Sequence, residues 1–261
     1  MTDITLAVVL PLLGAFVLPL TARGGLAWLG SLLGPALLVL SALILFVNWS
    51  TYEAPYAIAL GGFAPPLGIT FYVDLLALVF ALAVPLTTLL LWPGDDGQAG
   101  VRRQSLTLLL AAALTGLALS GDLFNLYVFY ELAAVASYGL VAGGGSSAGF
   151  VAAFRYLLIS ALGSVIGLMG IALIYFNTGT LNLAHLASLS DQLANPQGLA
   201  AFAMLVIGFG VKAELFPVNG WVPEVYGAAS KRVAALLAGL ASKLAVLAIV
   251  RVLLLVFPDE S

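Results

Sequence analysis

Three charged residues lie deep inside long apolar stretches of the sequence: Glu131, Lys212 and Lys243. An ionisable residue at bilayer depth costs about 2.5–3.5 kcal/mol or more, and it usually marks an ion path or a paired site. An amine held by a carboxylate keeps its proton, whereas an amine released into an apolar site gives the proton up. These residues therefore predict a proton relay with a movable counter-ion. A static salt bridge that fixes helix packing is the alternative.

The composition indicates that the chain is a membrane protein, as these positions of the three charged residues require. The chain has 261 residues, of which 62% are hydrophobic and 8% charged, whereas soluble proteins have roughly 25% charged residues. The chain has too few polar residues to be a cytosolic enzyme or a disordered protein. Its net charge of −3 does not suit a nucleic-acid partner. No cysteine and one histidine are present, so we expect neither a metal nor a cofactor.

Eight segments are long and apolar enough to cross a bilayer, which takes about 20 residues. They predict an all-α polytopic membrane protein of about eight transmembrane helices. Two longer connections separate spans 2 and 3 and spans 6 and 7, and the second contains a mildly amphipathic stretch that predicts a short interfacial helix. The predicted spans are residues 4–20, 26–49, 70–92, 104–120, 123–142, 153–176, 198–219 and 233–257.

The basic residues give these spans an orientation. Lysine and arginine collect in cytoplasmic connections, and six of the nine lie in or beside connections 1–2, 3–4, 5–6 and 7–8, with none in the opposite connections. The chain is therefore predicted to be a multi-pass protein of the cell inner (plasma) membrane with both termini outside. The six are Arg23, Arg102, Arg103, Arg155, Lys231 and Arg232.

Several other polar residues are candidates for accessory or structural roles. Asp74 and Asp122 stand at helix starts and favour capping, and Arg251 favours a structural or lipid-facing anchor. Glu214 either loads protons from the inner face or lies at the interface. His185, in an outer connection, is either a surface residue or part of an exit path. Hydroxyl groups that hold water between the charges, or serve packing, are Ser137, Tyr138, Ser160, Ser164 and Ser242.

Two prolines, Pro217 and Pro223, follow Lys212 closely. Proline interrupts a helix, and an interruption at membrane depth survives only where protein or a water-filled cavity satisfies the freed carbonyls. The pattern predicts that Lys212 lies beside a helix break that water reaches. A helix that simply ends at Pro217 is the alternative. In the preceding span, Gly163 and Gly167 indicate a packing face.

The sequence around these residues resembles the antiporter-like subunits of Mrp-type Na+/H+ antiporters, respiratory complex I and membrane-bound hydrogenases, and most of all the Mrp D-type subunit. The similarity covers most of residues 57–256. GDLFNLYVFYELAAVASYGLVA resembles the family's fifth helix, GFGVKAELFPVNGWVPEVYGAAS its broken seventh and LLAGLASKLAVLAIVRV its eighth. The family positions matched are Glu131, Lys212, Pro217, Trp221, Pro223 and Lys243.

The resemblance implies a fold of about fourteen helices, in which helices 4–8 and 9–13 form two inverted repeats, each with a broken helix. It implies that protons enter a first half-channel at Lys212, pass to Lys243 and leave through a second half-channel. In this scheme Glu131 modulates Lys212. The sequence departs from the family at Glu214, where a small residue is usual, and at residues 230–232, where a proline-rich loop is usual.

The resemblance also divides the chain and suggests partners. Residues 1–103 are predicted to form a three-helix segment, residues 104–257 a five-helix proton-translocation repeat and residues 258–261 a tail. Other membrane subunits are the expected partners, one of them supplying the second half-channel, with protons and Na+ as the transported ions.

The sequence therefore favours an ion-translocating subunit of a multi-subunit cation/proton antiporter. Two alternatives stay open: a truncated proton-pumping subunit of a quinone-linked dehydrogenase or hydrogenase, and a non-translocating membrane scaffold. No active site of its own is expected, because the chain has no Rossmann fingerprint and no cysteine for an iron–sulfur cluster.

Overall fold

Apolar helices make up most of the computed structural model, which describes residues 3–23, 27–63, 68–94 and 97–257. Each of the eight predicted spans contains one long helix, so the helical membrane class is confirmed. The predicted tail, residues 258–261, lies outside the described residues. The helices are α1 (Leu6–Arg23), α2 (Gly30–Ser50), α3 (Leu75–Leu90), α4 (Gly97–Leu119), α5 (Leu123–Ala142), α6 (Ser147–Thr178), α7 (Leu183–Ala187), α8 (Pro196–Lys212), α9 (Val222–Ala228), α10 (Lys231–Leu236) and α11 (Ser242–Val256).

Four of the described helical segments are long and apolar enough to cross a membrane: Gly30–Ser50, Leu123–Ala142, Ser147–Thr178 and Lys231–Leu254. The last of these joins α10 to α11 through a single π-helical turn, Leu237–Ala241. Helices α1, α3 and α8 are apolar but shorter. Eight membrane crossings therefore remain a prediction, as does the division of the chain at residue 103, which falls inside α4.

A short antiparallel hairpin lies between α2 and α3, where the sequence predicted no regular structure. Strand β1 (Tyr56–Ala59) pairs with β2 (Thr70–Val73). The third span was predicted to begin at residue 70, but helix α3 begins at Leu75. The pattern was missed because β2 is buried on both faces, so it lacks the polar alternation that identifies a strand.

The hairpin is tied to the turn between α4 and α5. Asp122 caps α5 as predicted, since its carboxylate accepts from the N–H of Asn125 at 2.7 Å. The other carboxylate oxygen accepts from the N–H of Thr70 on β2 at 3.2 Å. Burial raises the pKa of the Asp122 carboxyl, because desolvation disfavours its charged form. The Asn182 side chain also donates to the Thr70 hydroxyl at 3.1 Å, which brings the segment before α7 into the same junction.

The predicted interfacial helix exists as α7, but its apolar face is turned into the protein. Leu183 and Leu186 are buried, and α7 packs against α11. The amphipathic pattern correctly predicted a helix, but its apolar face packs against the protein and not against the membrane interface. His185 is exposed on this helix.

Helices α6 and α8 approach closely through glycine, as the Gly163 and Gly167 spacing predicted. A Cβ atom added at Gly208 would lie 2.7 Å from the Cα of Gly167, closer than real side chains allow. The hydroxyl of Tyr130, on α5, donates to the Gly208 carbonyl at 2.7 Å. Three helices are thereby held together one turn before Lys212, at the end of α8.

Candidate functional site

Two of the three membrane charges meet in an ion pair. The Lys212 ammonium at the end of α8 lies 3.3 Å from a carboxylate oxygen of Glu131, in the middle of α5. The ammonium also lies 3.8 Å from the centre of the Tyr130 ring, whose face attracts cations. The Lys212 side chain is 6% exposed, whereas that of Glu131 is 34% exposed. The site thus holds an enclosed amine against a carboxylate that stays partly open.

The helix that carries Lys212 is interrupted at that residue. Helix α8 ends at Lys212, and helical structure resumes only at Val222. Glu214 has a φ of 61° and turns the chain out of the helix, and the peptide bond before Pro217 is cis. Pro223 lies in the first turn of α9, where the missing N–H costs nothing. The predicted break is present, and α8 ends at Lys212 rather than at Pro217. Water access to the break and the end of the membrane span at residue 219 stay predictions.

Protein groups satisfy the polar atoms at the break. The indole N–H of Trp221 donates to the carbonyl of Val211 at 3.0 Å. Trp221 is buried and stacks on Tyr156 with ring centres 4.0 Å apart. The hydroxyl of Tyr226 donates to the Glu214 carboxylate. Glu214 therefore bridges the two sides of the break and does not point freely into the interface.

Lys243 does not join the pair. It is the second residue of α11, directly after the π turn, and its side chain is exposed on the surface of this chain. Its ammonium lies 3.3 Å from the hydroxyl of Ser242, which in turn donates to the carbonyl of Ala238 at 2.8 Å. Within the described ranges, Lys243 forms no ion pair.

A second buried ion pair was missed by sequence reasoning. The Arg251 side chain is 3% exposed, and its guanidinium lies 2.9 Å from the Asp74 carboxylate and donates to the Ser120 carbonyl at 2.9 Å. Asp74 also caps α3, accepting from the N–H of Ala77 at 2.6 Å, as predicted. Arg251 is therefore enclosed within this chain and does not face lipid, and its structural role stays a prediction. The only sequence signal for this pairing was that both residues lie near the predicted outer ends of their spans.

Another charged contact among the described residues connects α6 to the break. Arg155 lies 2.8 Å from Glu224 on α9. In the sequence, Arg155 served only as an orientation signal, and its partner could not be identified because it is 69 residues away. His185 contacts none of the membrane charges in the part of the chain that the structure describes.

Comparisons with known proteins agree with this architecture. The family model described as NADH:quinone oxidoreductase/Mrp antiporter, TM, matches residues 120–261, which include the ion pair, the break and Lys243. The NADH-quinone oxidoreductase subunit N of Desulforudis audaxviator is 35% identical over 258 residues, which are 95% of this chain and 51% of that protein. The D-type subunit of the Na(+)/H(+) antiporter of Bacillus subtilis is 32% identical over 211 residues, 78% of this chain and 43% of that protein.

A solved structure is similar over nearly the whole chain. It is a chain of the membrane-bound sulfane sulfur reductase, an archaeal respiratory membrane complex, with a TM-score of 0.89 and 33% identity. The match covers 97% of this chain and 53% of that one. The chain thus spans about half the length of the curated relatives it matches.

Proposed function

This chain belongs to the NADH:quinone oxidoreductase/Mrp antiporter transmembrane family, and from that premise we propose that it carries one proton half-channel of a multi-subunit membrane complex. The contact between Lys212 and Glu131 carries the proposal. Either charge alone would be costly at bilayer depth. A proton that neutralises Glu131 therefore weakens the hold on the lysine, and a returning negative charge restores it.

Each residue near the pair has a proposed role. Lys212 is the proton carrier, Glu131 is its modulator, and Lys243 relays the proton onward. Glu214, held by Tyr226 at the break, loads protons from the inner face. Asp74 and Arg251 hold the outer ends of α3 and α11 together and do not carry ions.

The exposure of Lys243 supports a partner subunit. An amine in the middle of an apolar helix is rarely left facing lipid, and α11 presents Lys243 on the outer surface of this chain. We expect a further membrane segment, one that supplies the second half-channel, to cover this face. A scaffold that only packs between other subunits would need its membrane charges to be paired permanently. Within the described ranges, Lys243 is in no ion pair.

Cation/proton antiport is the favoured activity, with protons exchanged for Na+ in the inner (plasma) membrane. The similarity to a protein named as part of a Na(+)/H(+) antiporter supports it. A redox-driven proton pump is the second candidate, because the relative matched over 95% of this chain is named as part of NADH-quinone oxidoreductase.

The test uses inverted membrane vesicles that contain the whole complex and a pH-sensitive fluorescent dye. Proton movement is started with NaCl, KCl or NADH, which separates antiport from redox-driven pumping. Lys212→Met, similar in length but uncharged, should abolish movement while the chain remains in the membrane. Arg102→Gln, at an exposed position on α4, is the matched control. Undiminished movement in Lys212→Met vesicles, or none in the wild type with any driver, would contradict the proposal.

A further inference from the structure

Tyr130 gives the Lys212 ammonium a second contact besides Glu131. The ammonium nitrogen lies 3.8 Å from the centre of the Tyr130 ring and 3.3 Å from the Glu131 carboxylate. Tyr130 and Glu131 are consecutive on α5, so their side chains leave the helix in different directions. The ammonium therefore has two separate neighbours, an aromatic ring and a carboxylate.

The ring matters because the ammonium is enclosed. A lysine ammonium has three N–H donors, and within the described residues that of Lys212 donates one hydrogen bond, to Glu131. The Lys212 side chain is 6% exposed, so little water is available to the other two donors. The face of an aromatic ring attracts an enclosed cation more strongly than an exposed one. The Tyr130 ring therefore supplies attraction that the solvent does not.

Tyr130 is itself held by the last turn of α8. Its hydroxyl donates to the Gly208 carbonyl at 2.7 Å and lies 3.1 Å from the Phe209 carbonyl. Its ring packs edge to face on Phe209, with ring centres 5.0 Å apart, and Tyr130 is 3% exposed. Three residues within about one turn of α8, the third being Lys212, thus contact one side chain of α5. These contacts keep the ring face beside the ammonium.

The ring and the carboxylate respond differently to a proton. Protonation of Glu131 removes the negative charge that faces the ammonium, whereas the neutral ring of Tyr130 has no charge to lose and still attracts a cation. The same ring has no comparable attraction for a neutral amine. When Glu131 is neutral, the ring is therefore the contact that favours the protonated form of Lys212.

We propose that Tyr130 is a positioning residue, which holds the protonated Lys212 at the end of α8 while Glu131 is neutral. The inference rests on the proposed function. No bond of Tyr130 forms or breaks: the proton leaves Lys212 for the next group, and the neutral amine then loses the attraction of the ring. Without the ring, neutralising Glu131 would leave the enclosed ammonium without an attractive neighbour, and its proton would be lost too early.

The test varies the charge distribution of the ring while its shape stays nearly constant. Position 130 is changed to phenylalanine (Tyr130→Phe) and then to phenylalanine with one, two or three ring fluorines, which withdraw electrons from the ring face and weaken its attraction for a cation. Proton movement is measured across a range of pH in vesicles with the whole complex. A second series, with one or two fluorines on the tyrosine ring, keeps the hydroxyl.

We expect the pH of half-maximal proton movement to fall with each added fluorine, because a weaker attraction lets the ammonium lose its proton more easily. The total shift should be about half a pH unit, a roughly threefold loss of proton affinity. The other charged groups near α8 are the same in every variant, so they cannot produce a stepwise change. They are Glu131 on α5, Arg155 on α6, Asp191 in the short turn before α8, and Lys243 and Arg251 on α11.

The matched control places the same fluorinated residues at position 129. Phe129 is on the same helix, but its ring packs against Phe71, so fluorination there should not shift the pH dependence. A loss in Tyr130→Phe that fluorines do not deepen would mean that Tyr130 only joins α5 to α8, and it would overturn the inference. An unchanged pH dependence across both series at position 130 would do the same. If Lys212→Met abolishes proton movement in that case, the proposed function still stands.

Discussion

Lys212 and Glu131 are 3.3 Å apart, and the amine is enclosed while the carboxylate is about one-third exposed. The enclosed partner is also the last residue of α8, whereas the open partner lies in the middle of an uninterrupted helix, α5. Movement of the chain at the break therefore changes the position of the amine more easily than that of the carboxylate. Glu131 is also the member of the pair that is open to groups outside this chain.

Neutralising one member of this pair should destabilise the protein more than neutralising both. Glu131→Gln leaves a buried ammonium without its counter-ion, and Lys212→Met leaves a carboxylate in an apolar site. The double variant replaces the pair with uncharged groups of similar size, which is often neutral for stability. We expect the thermal midpoint of the purified protein to fall in each single variant and to recover in the double variant.

Proton movement should be lost in all three of these variants, because the double variant restores stability but not the exchangeable proton. Additive losses of thermal stability would contradict the coupling that the 3.3 Å contact requires. Arg155→Gln, which removes an exposed ion pair, is the control and should change the midpoint little.

The pair of Arg251 and Asp74 should respond differently to the loss of each partner. Asp74→Asn keeps a capping oxygen for α3 but leaves the guanidinium buried without its counter-ion, so we expect it to cost about 3 kcal/mol. Arg251→Met leaves a carboxylate that is 25% exposed and still caps the helix, so it should cost less. Thermal midpoints of the two variants give the order, and a milder effect of Asp74→Asn than of Arg251→Met would contradict the argument that the buried guanidinium is the costlier charge to leave unpaired.

The spans, the ion pair and the break could be predicted because each leaves a local signal in the sequence. Glu131 and Lys212 stand out against apolar neighbours, and Pro217 follows the lysine within one and a half turns. The helical class needs only composition and segment length.

The other features depend on contacts between distant segments. Arg251 and Asp74 are 177 residues apart, and nothing local identifies them as partners. The direction in which Lys243 points depends on the π turn before it, which shifts every following side chain around the helix axis and has no clear sequence signature. The hairpin was hidden because only Asp74 separates the apolar residues of β2 from those of α3.

Trp221 should contribute to the break through its indole N–H as well as through stacking. Trp221→Phe keeps an aromatic ring against Tyr156 but removes the bond to the Val211 carbonyl. We expect it to cost about 1 kcal/mol, and Trp221→Ala, which also removes the ring, should cost clearly more. The thermal midpoints measure both, and equal costs would show that the aromatic ring contributes nothing beyond the hydrogen bond.

A photoreactive group at Lys243 should capture a neighbouring protein. We expect p-benzoylphenylalanine at this position to yield a cross-linked product larger than the chain itself, because an exposed membrane amine requires a polar or protein surface opposite it. The same group in place of Phe176, which is 81% exposed on α6, reports background cross-linking. Equal yields at the two positions would contradict a partner specific to the Lys243 face.

The orientation of the chain can be tested without any background mutation, because the sequence has no cysteine. His185→Cys places a thiol on an exposed residue of the predicted outer connection, and Lys231→Cys places one on an exposed residue of the predicted inner connection. Since lysine and arginine are retained on the inner side, a membrane-impermeant maleimide should label position 185 in intact cells and position 231 only after permeabilisation. The reverse pattern would invert the topology, and labelling of both in intact cells would mean that an even number of crossings separates the two positions.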